Sequence, residues 1–207
     1  MHATKISLTD FIDFVNRPSM SEKLTKVREI KHRGPYSSAG DFYRPVREAV
    51  IRTHATGRDK WTIRNTIERL ANAGADFRER LERYEMLADA YIGWWGRRRL
   101  DWFEPGWQVG SMQGLPISVN PELGLDIDGT PHIVKLYFKE EPLPHRAAEV
   151  SARMMARVLA GQTPRDAKMA ILDVRRRRLH CPSDIPELDV ILDGEVAAFT
   201  ALWSAAA

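Results

Sequence analysis

A cluster of carboxylates and lysines lies within one stretch of the sequence whose pattern predicts a β-hairpin. Apolar and polar residues alternate over positions 123–128, the period of two that is typical of a half-buried strand. The stretch ends in an Asp-Gly pair, a strong signal for a two-residue turn. Residues 132–139 then supply a second strand, rich in β-branched and aromatic residues. A two-residue loop would place Glu122 opposite Lys135.

The predicted hairpin separates its polar and apolar side chains onto two faces. The polar face carries Glu122, Asp126, Asp128, Lys135, Tyr137 and Lys139. The apolar face carries Leu123, Leu125, Val134, Leu136 and Phe138. The polar face is the arrangement in this sequence that most suggests chemistry. In the simpler interpretation, Glu122 and Lys135 form a cross-strand ion pair on a solvated face, worth about 0.2–1 kcal/mol, and Asp128 is only a turn residue.

Other residue patterns that carry chemistry are missing from the sequence. Neither of the phosphate-binding glycine patterns, GxGxxG and GxxxxGK, occurs, and there is no GxSxG serine motif or HExxH zinc motif. The six histidines show no ligand spacing. His180 and Cys181 are neighbours, but adjacent residues of a strand point to opposite faces. We therefore do not expect a catalytic thiol–imidazole pair.

The composition of the chain favours one cellular compartment. The 207 residues include a single cysteine, which excludes an intramolecular disulfide and a cysteine-rich zinc site and favours a reducing cytoplasm. The N-terminus lacks the continuous apolar core of a signal peptide. No apolar run approaches the roughly 18 residues that span a bilayer. We therefore expect a cytoplasmic protein without a membrane partner.

The order of predicted elements indicates an α/β protein. Residues 1–104 show helical periodicity, with the longest helix over 75–100. The clearest boundary is Pro105-Gly106, after which the periodicity becomes that of strands. Residues 105–207 are expected to form an α/β region, which is either separate from the helical region or continuous with it as one domain.

Within the α/β region, the pattern predicts one mixed sheet of strand-strand-strand-helix-strand order with packed helices. The expected elements are a strand over 107–112, a strand over 115–127 interrupted near Pro121, the second strand of the hairpin, a helix over 147–159, a strand over 168–175 and a closing helix over 186–203. The apolar strand over 168–175 is expected to be central in the sheet.

Charge is distributed unevenly along the chain. Residues 1–100 hold 20 lysines and arginines against 13 acidic residues, a net charge of +7, whereas residues 101–207 hold 11 against 15, a net charge of −4. A basic half is typical of proteins that hold a polyanion, although an arginine-rich helical surface accounts for the same counts. The candidate phosphate contacts are two arginine runs, Arg97, Arg98 and Arg99 after the longest helix and Arg175, Arg176, Arg177 and Arg178 after the central strand.

The element order over residues 107–180 resembles the core of the PD-(D/E)XK nuclease superfamily, especially its RecB-like branch. Members of that superfamily place helices first, then present an Asp on the second core strand and an (Asp/Glu)-x-Lys triplet on the third. By this resemblance, Asp126 or Asp128 is the second-strand carboxylate. The matching triplet is residues 137–139, or less well residues 135–137.

The resemblance implies metal-dependent chemistry at the polar face of the hairpin. In such nucleases two carboxylates hold Mg²⁺ or Mn²⁺, which prefer oxygen ligands. The metal activates water and stabilises charge on the phosphate, while a lysine positions the nucleophile. The implied metal ligands are Asp126 and Asp128, with Glu122 joining them across the hairpin. Lys139 or Lys135 is the implied catalytic lysine.

Three functions stay open at this point. The first position of the triplet is Tyr137, and a neutral tyrosine cannot replace an anionic metal ligand at neutral pH. We therefore expect a nucleic-acid-binding protein whose nuclease site is degenerate. If Glu122, or Glu85 or Asp89 on the longest helix, completes the site, the chain is an active nuclease that requires Mg²⁺ or Mn²⁺. The third function is that of a non-enzymatic subunit or regulator that docks on a protein partner.

Overall fold

The described part of the chain forms seven helices and eight strands in a computed structural model that covers residues 5–34, 41–71, 75–183 and 185–206. The helices are α1 (Leu8–Val15), α2 (Met20–His32), α3 (Arg44–Ala55), α4 (Trp61–Ala71), α5 (Ala75–Trp95), α6 (His145–Val158) and α7 (Glu187–Ala205). The strands are β1 (Ile6–Ser7), β2 (Leu100–Phe103), β3 (Gln108–Met112), β4 (Leu115–Val119), β5 (Leu123–Ile127), β6 (Thr130–Tyr137), β7 (Lys168–Asp173) and β8 (Arg178–His180). The predicted α/β class, with helices first and mixed sheet after them, is confirmed. Within these ranges, the helices lack the combination of length and apolar character needed to cross a membrane.

The larger sheet joins five strands in the order β2-β5-β6-β7-β8. Strands β5 and β6 form an antiparallel hairpin, and β6 and β7 are parallel neighbours. Helix α6 connects β6 to β7, because parallel neighbours require a crossover. Strands β2 and β8 add antiparallel edges. The order strand, strand, strand, helix, strand is thus present as β2, β5, β6, α6 and β7, with the β3–β4 pair inserted after β2.

The first strand of the larger sheet begins at Leu100, so the prediction of an almost wholly helical region up to residue 104 is wrong at its end. Helix α5 stops at Trp95, because Gly96 adopts a φ of 54°, the left-handed conformation that terminates helices. Leu100 then pairs with Ile127 along the open edge of β5. The short strand β1 is a second exception near the start of the chain.

A second, smaller sheet corrects the prediction of a single sheet. Its order is β1-β4-β3, with β1 parallel and β3 antiparallel to β4. The strand predicted over 115–127 is divided near Pro121, which has no N–H for a strand ladder. Its first part is β4 of the smaller sheet, and its second part is β5 of the larger sheet.

Helices cover both faces of the larger sheet and form two cores. On one face, α3, α4 and α5 pack against the strands around Tyr91 and Trp94. On the other face, α1, α2, α6 and α7 pack around Phe11, Phe14 and Phe199. The rings of Phe14 and Phe199 meet edge to face at a centroid distance of 5.0 Å. Helices from the N-terminal part of the chain therefore build both cores together with strands from the C-terminal part.

Candidate functional site

The β5–β6 hairpin has the register that the sequence predicted. Leu123 pairs with Val134 and Ile127 pairs with Thr130, so two residues form the turn and the register extends to Glu122 opposite Lys135. The turn residues, Asp128 and Gly129, have φ values of 52° and 91°. These left-handed conformations suit an Asp-Gly turn between twisted strands.

Glu122 and Lys135 form a buried ion pair rather than a pair on a solvated face. The Lys135 Nζ lies 2.6 Å from the Glu122 Oε1, and the two side chains are only 6% and 7% exposed. Lys135 also donates to the backbone oxygen of Asn120, at 3.2 Å. The backbone N–H of Leu136 donates to Glu122 Oε2, at 2.7 Å. The partners of both charged groups thus lie at the end of the hairpin away from its turn. Removing either charged group would leave the other buried without its counterion.

Asp126 and Asp128 hold the turn at the opposite end of the hairpin. The backbone N–H of Gly129 donates to Asp126 Oδ1, at 2.6 Å. The backbone N–H of Arg99 donates to Asp128 Oδ1, at 2.9 Å, and thereby ties the turn to the residue before β2. Asp126 is four positions further along the chain than Glu122, which corresponds to a distance of about 13 Å at the usual rise of a strand. The structure therefore does not bring Glu122 together with the two aspartates.

Lys139 lies in a third place and pairs with a helix. Its Nζ donates to the Asp13 carboxylate on α1, which is 7% exposed. The Nζ of Lys26 on α2 lies 3.4 Å from the same carboxylate. Lys139 thus connects the chain beyond β6 to α1 and α2, away from Asp126.

Tyr137 is a neutral side chain among acids at the end of β6. Its hydroxyl donates to the backbone oxygen of Glu141, at 2.9 Å. Burial, followed by the nearby carboxylates of Glu141, Asp13 and Asp173, raises the pKa of Tyr137 above its usual value. Asp173 lies opposite Tyr137 on β7 and is almost fully buried. Asp173 was not among the predicted site residues, although an acid at the end of a buried apolar strand is a signal that could have indicated it.

A divalent metal does not fit the carboxylates that the sequence suggested. Mg²⁺ and Mn²⁺ need several oxygen ligands around one point, but the oxygens of Glu122, Asp126 and Asp128 bind backbone groups and Lys135 in two separate places. The described residues contain no group of three or more His, Cys, Asp or Glu side chains able to hold a metal. Asp89 does not join them, because it faces Arg64 on α4 at 3.4 Å.

The arginines of the second run point in different directions. Arg175 Nε donates to the backbone oxygen of Phe138, at 2.7 Å, and Arg176 Nη2 donates to that of Glu140, also at 2.7 Å. These two arginines therefore hold the segment that follows β6. The next residue in the run, Arg177, is exposed and extends in another direction, across α5.

Arg177 reaches the last turns of α5, the helix that the first arginine run follows. The guanidinium of Arg177 lies against Gly93, so closely that a Cβ at Gly93 would be 2.5 Å from its central carbon. Arg97, Arg98 and Arg99 begin four residues further along the chain and are exposed. Lys60 reaches the same end from the α3–α4 connection, since its Nζ donates to the backbone oxygen of Gly96 at 2.5 Å. We name the five cations Lys60, Arg97, Arg98, Arg99 and Arg177 the basic end of α5.

An exposed indole lies next to this basic end. Trp61, the first residue of α4, is 55% exposed, and the Lys60 Nζ lies 5.7 Å from the centre of its ring. The indole of Trp61 was not among the predicted site residues.

The sequence matches no protein-family model and no curated protein.

Proposed function

We propose that this protein binds nucleic acid through the basic end of α5 and does not cleave it. The observation that carries the proposal is the contact of Arg177 with Gly93, which joins an arginine run after β7 to the run that follows α5. This contact brings Arg177 to the helix that Arg97, Arg98 and Arg99 follow in the chain, which supports a shared surface for these four arginines. A surface of clustered lysines and arginines attracts phosphates and releases their counterions on binding.

The cations at this end are available to an external anion. Arg97 and Arg177 are exposed. Arg99 pairs with Asp101 at 3.0 Å, but both side chains are well exposed, at 72% and 64%. Exposed pairs of this kind contribute about 0–1 kcal/mol, so a phosphate can displace the carboxylate. Arg98 lies over the Trp94 ring and donates to the Trp94 backbone oxygen, which positions its guanidinium at the helix end.

Trp61 supplies a contact for bases beside the contacts for phosphates. Stacking of a base on an exposed aromatic side chain is worth about 1–3 kcal/mol, and it tolerates any base sequence. We therefore expect the protein to bind single-stranded nucleic acid, whose bases are accessible, and we expect its affinity to depend little on the base sequence.

The absence of cleavage in this proposal follows from the hairpin. Its carboxylates are used by a buried lysine and by backbone N–H groups, and Tyr137 occupies the position where the nuclease pattern has an acid. The resemblance to PD-(D/E)XK nucleases then concerns the order of the strands and not the chemistry.

The binding half of the proposal is tested with fluorescently labelled single-stranded and double-stranded oligonucleotides, by anisotropy over a series of KCl concentrations. We expect binding at low salt that weakens steeply as salt rises. Replacing Arg97, Arg98 and Arg99 with Ala should reduce the slope of log affinity against log salt by up to about 3. If the wild-type protein binds neither oligonucleotide in low-salt buffer, the proposal is wrong and the protein-docking function replaces it.

The second half of the proposal is tested by incubating the same oligonucleotides with Mg²⁺ or Mn²⁺. We expect no cleavage by the wild-type protein. Robust cleavage that is lost in both Asp126→Ala and Lys139→Ala would establish an active nuclease at the hairpin. Cleavage that both variants retain would place an active site elsewhere in the chain.

A further inference from the structure

A cavity of about 850 Å³ lies at the amino-terminal end of β7, where Lys168 and Met169 belong to its lining. It is bounded by the carboxyl-terminal part of α6, the connection from α6 to β7, and the residues just after β8. The volume falls within the range of sites that hold small molecules, about 300–1,000 Å³.

The described lining of this cavity is positively charged. It includes Arg153, Arg165 and Lys168 and no carboxylate. Asp189, which lies outside the lining, neutralises Arg153 through a hydrogen bond of 2.8 Å to its Nε and a second one to its Nη2. Arg165 and Lys168 are exposed, and neither forms a hydrogen bond or ion pair with another described side chain. The two cations therefore line the cavity without a salt-bridge partner among the described residues.

The remaining lining is aliphatic, with two hydroxyls. Ala156, Ala160, Ala167 and Met169 supply small apolar surfaces, and Thr163 and Ser183 supply the hydroxyls. No aromatic ring belongs to the described lining, so a planar base or ring would lack a stacking partner. An aliphatic group is the better complement to such a surface.

We propose that this cavity binds a small organic anion with an aliphatic body, whose acidic group lies at Arg165 and Lys168. Small-molecule sites usually combine an apolar lining with a few polar groups that fix orientation, which is the composition seen here. The lining shares no residue with the basic end of α5, and each proposal is tested with its own variants.

Cys181 is a chemical probe for ligand binding in this cavity. It lines the cavity, is partly exposed and is the only cysteine in the chain. Burial raises the pKa of its thiol, an effect that Lys168 opposes. Its alkylation rate therefore reports on this cavity alone.

The first experiment compares alkylation of Cys181 by iodoacetate and by neutral iodoacetamide. Cations in the cavity should favour the anionic reagent, and the ratio of the two rates cancels changes in thiol pKa that affect both reagents. We expect the ratio to fall at least about threefold in the Arg165→Gln/Lys168→Gln double variant. Arg28→Gln, an exposed position on α2, is the control and should leave the ratio unchanged. An unchanged ratio in the double variant would overturn the proposed role of the two cations.

The second experiment asks whether an organic anion protects Cys181 from iodoacetamide. The probes are octanoate and octyl phosphate, which separate a carboxylate from a phosphate, with acetate and inorganic phosphate as probes without an aliphatic body. We expect saturable protection by at least one eight-carbon probe, little by the small ions, and loss of protection in the double variant. Protection by none of the probes, or protection that survives in the double variant, would refute the proposal. Near-ultraviolet circular dichroism checks that each variant is folded.

Discussion

The hairpin of β5 and β6 and the basic end of α5 both concentrate charge, but they use it differently. Glu122 and Lys135 are nearly inaccessible and bind each other. Arg97 and Arg177 are exposed, and they come from distant parts of the chain to one surface. Charge that is matched within the fold stabilises or specifies structure, whereas clustered charge of one sign remains available to a partner. We therefore propose the basic end of α5, rather than the hairpin, as the functional surface.

The largest effect should come from breaking the buried pair of the hairpin. Lys135→Met leaves the Glu122 carboxylate buried without its counterion, and we expect the free energy of unfolding to fall by about 3–5 kcal/mol. Urea titration followed by tryptophan fluorescence measures it. Adding Glu122→Gln should restore most of the loss, because Gln is neutral and still accepts a hydrogen bond from Leu136.

The matched control for this prediction is an exposed pair on α4. Arg64 lies 3.3 Å from Glu68, with side chains 44% and 51% exposed. Arg64→Ala should cost less than about 0.5 kcal/mol. If Lys135→Met costs no more than Arg64→Ala does, the two kinds of charge do not differ as the comparison requires.

An intermediate effect should come from His54, which lies beneath the basic end of α5. Its ring stacks on Trp95 at 4.3 Å, and its Nε2 lies 2.7 Å from the Tyr91 hydroxyl. Burial lowers the pKa of His54 to about 4. Because the folded pKa is below the unfolded value of about 6.5, the neutral ring stabilises the fold above pH 6.5, and this contribution is lost as pH falls toward 4.

Between pH 7 and pH 5 the loss attributable to His54 should be about 2 kcal/mol. Urea titrations of wild type and His54→Gln at both pH values measure it, and the variant should lose about that much less on acidification. Equal losses in both proteins would show that His54 is accessible to protons in the folded state.

A smaller effect on stability, with a clear effect on binding, should come from Gly93→Ala. The new Cβ would lie 2.5 Å from the Arg177 guanidinium, a flexible group that can move away. Helix propensity should then leave the protein equally stable or up to about 1 kcal/mol more stable. Nucleic-acid affinity should fall about threefold as Arg177 leaves the surface.

Gly194→Ala is the matched control for Gly93→Ala, because Gly194 lies within α7 with nothing within 4 Å of an added Cβ. It should gain the same helix propensity and leave affinity unchanged. Equal nucleic-acid affinities for the two variants would show that Arg177 does not contribute to the binding surface.

Local patterns in the sequence predicted the hairpin well. Alternation and the Asp-Gly turn determined the register of β5 on β6 and the position of Glu122 opposite Lys135. They could not show that this face is buried, because the helices of its core, α1, α2, α6 and α7, come from distant parts of the chain. The sequence did not predict the division of the strands into two sheets for a related reason. Strand β4 of the smaller sheet pairs with β1, which lies far away at the start of the chain.

The candidate site was less predictable than the fold. The arginine runs are plain in the sequence, but the contact of Arg177 with Gly93 depends on how α5 packs on the larger sheet. Arg175 and Arg176 instead donate to backbone oxygens beyond β6, and the Arg175 side chain is only 14% exposed. Spacing along the chain does not indicate which members of a charge run serve structure.

The most direct test of the proposed function is the salt dependence of nucleic-acid affinity for the Arg97→Gln/Arg177→Gln double variant, beside wild type and Arg28→Gln. If both arginines meet phosphates, the slope of log affinity against log salt should fall by about 1.4–1.8 in the double variant, given about 0.7 per phosphate on a single strand and 0.9 on a duplex. Arg28→Gln should keep the wild-type slope. A double variant with the wild-type slope would contradict the claim that the two runs form one nucleic-acid surface.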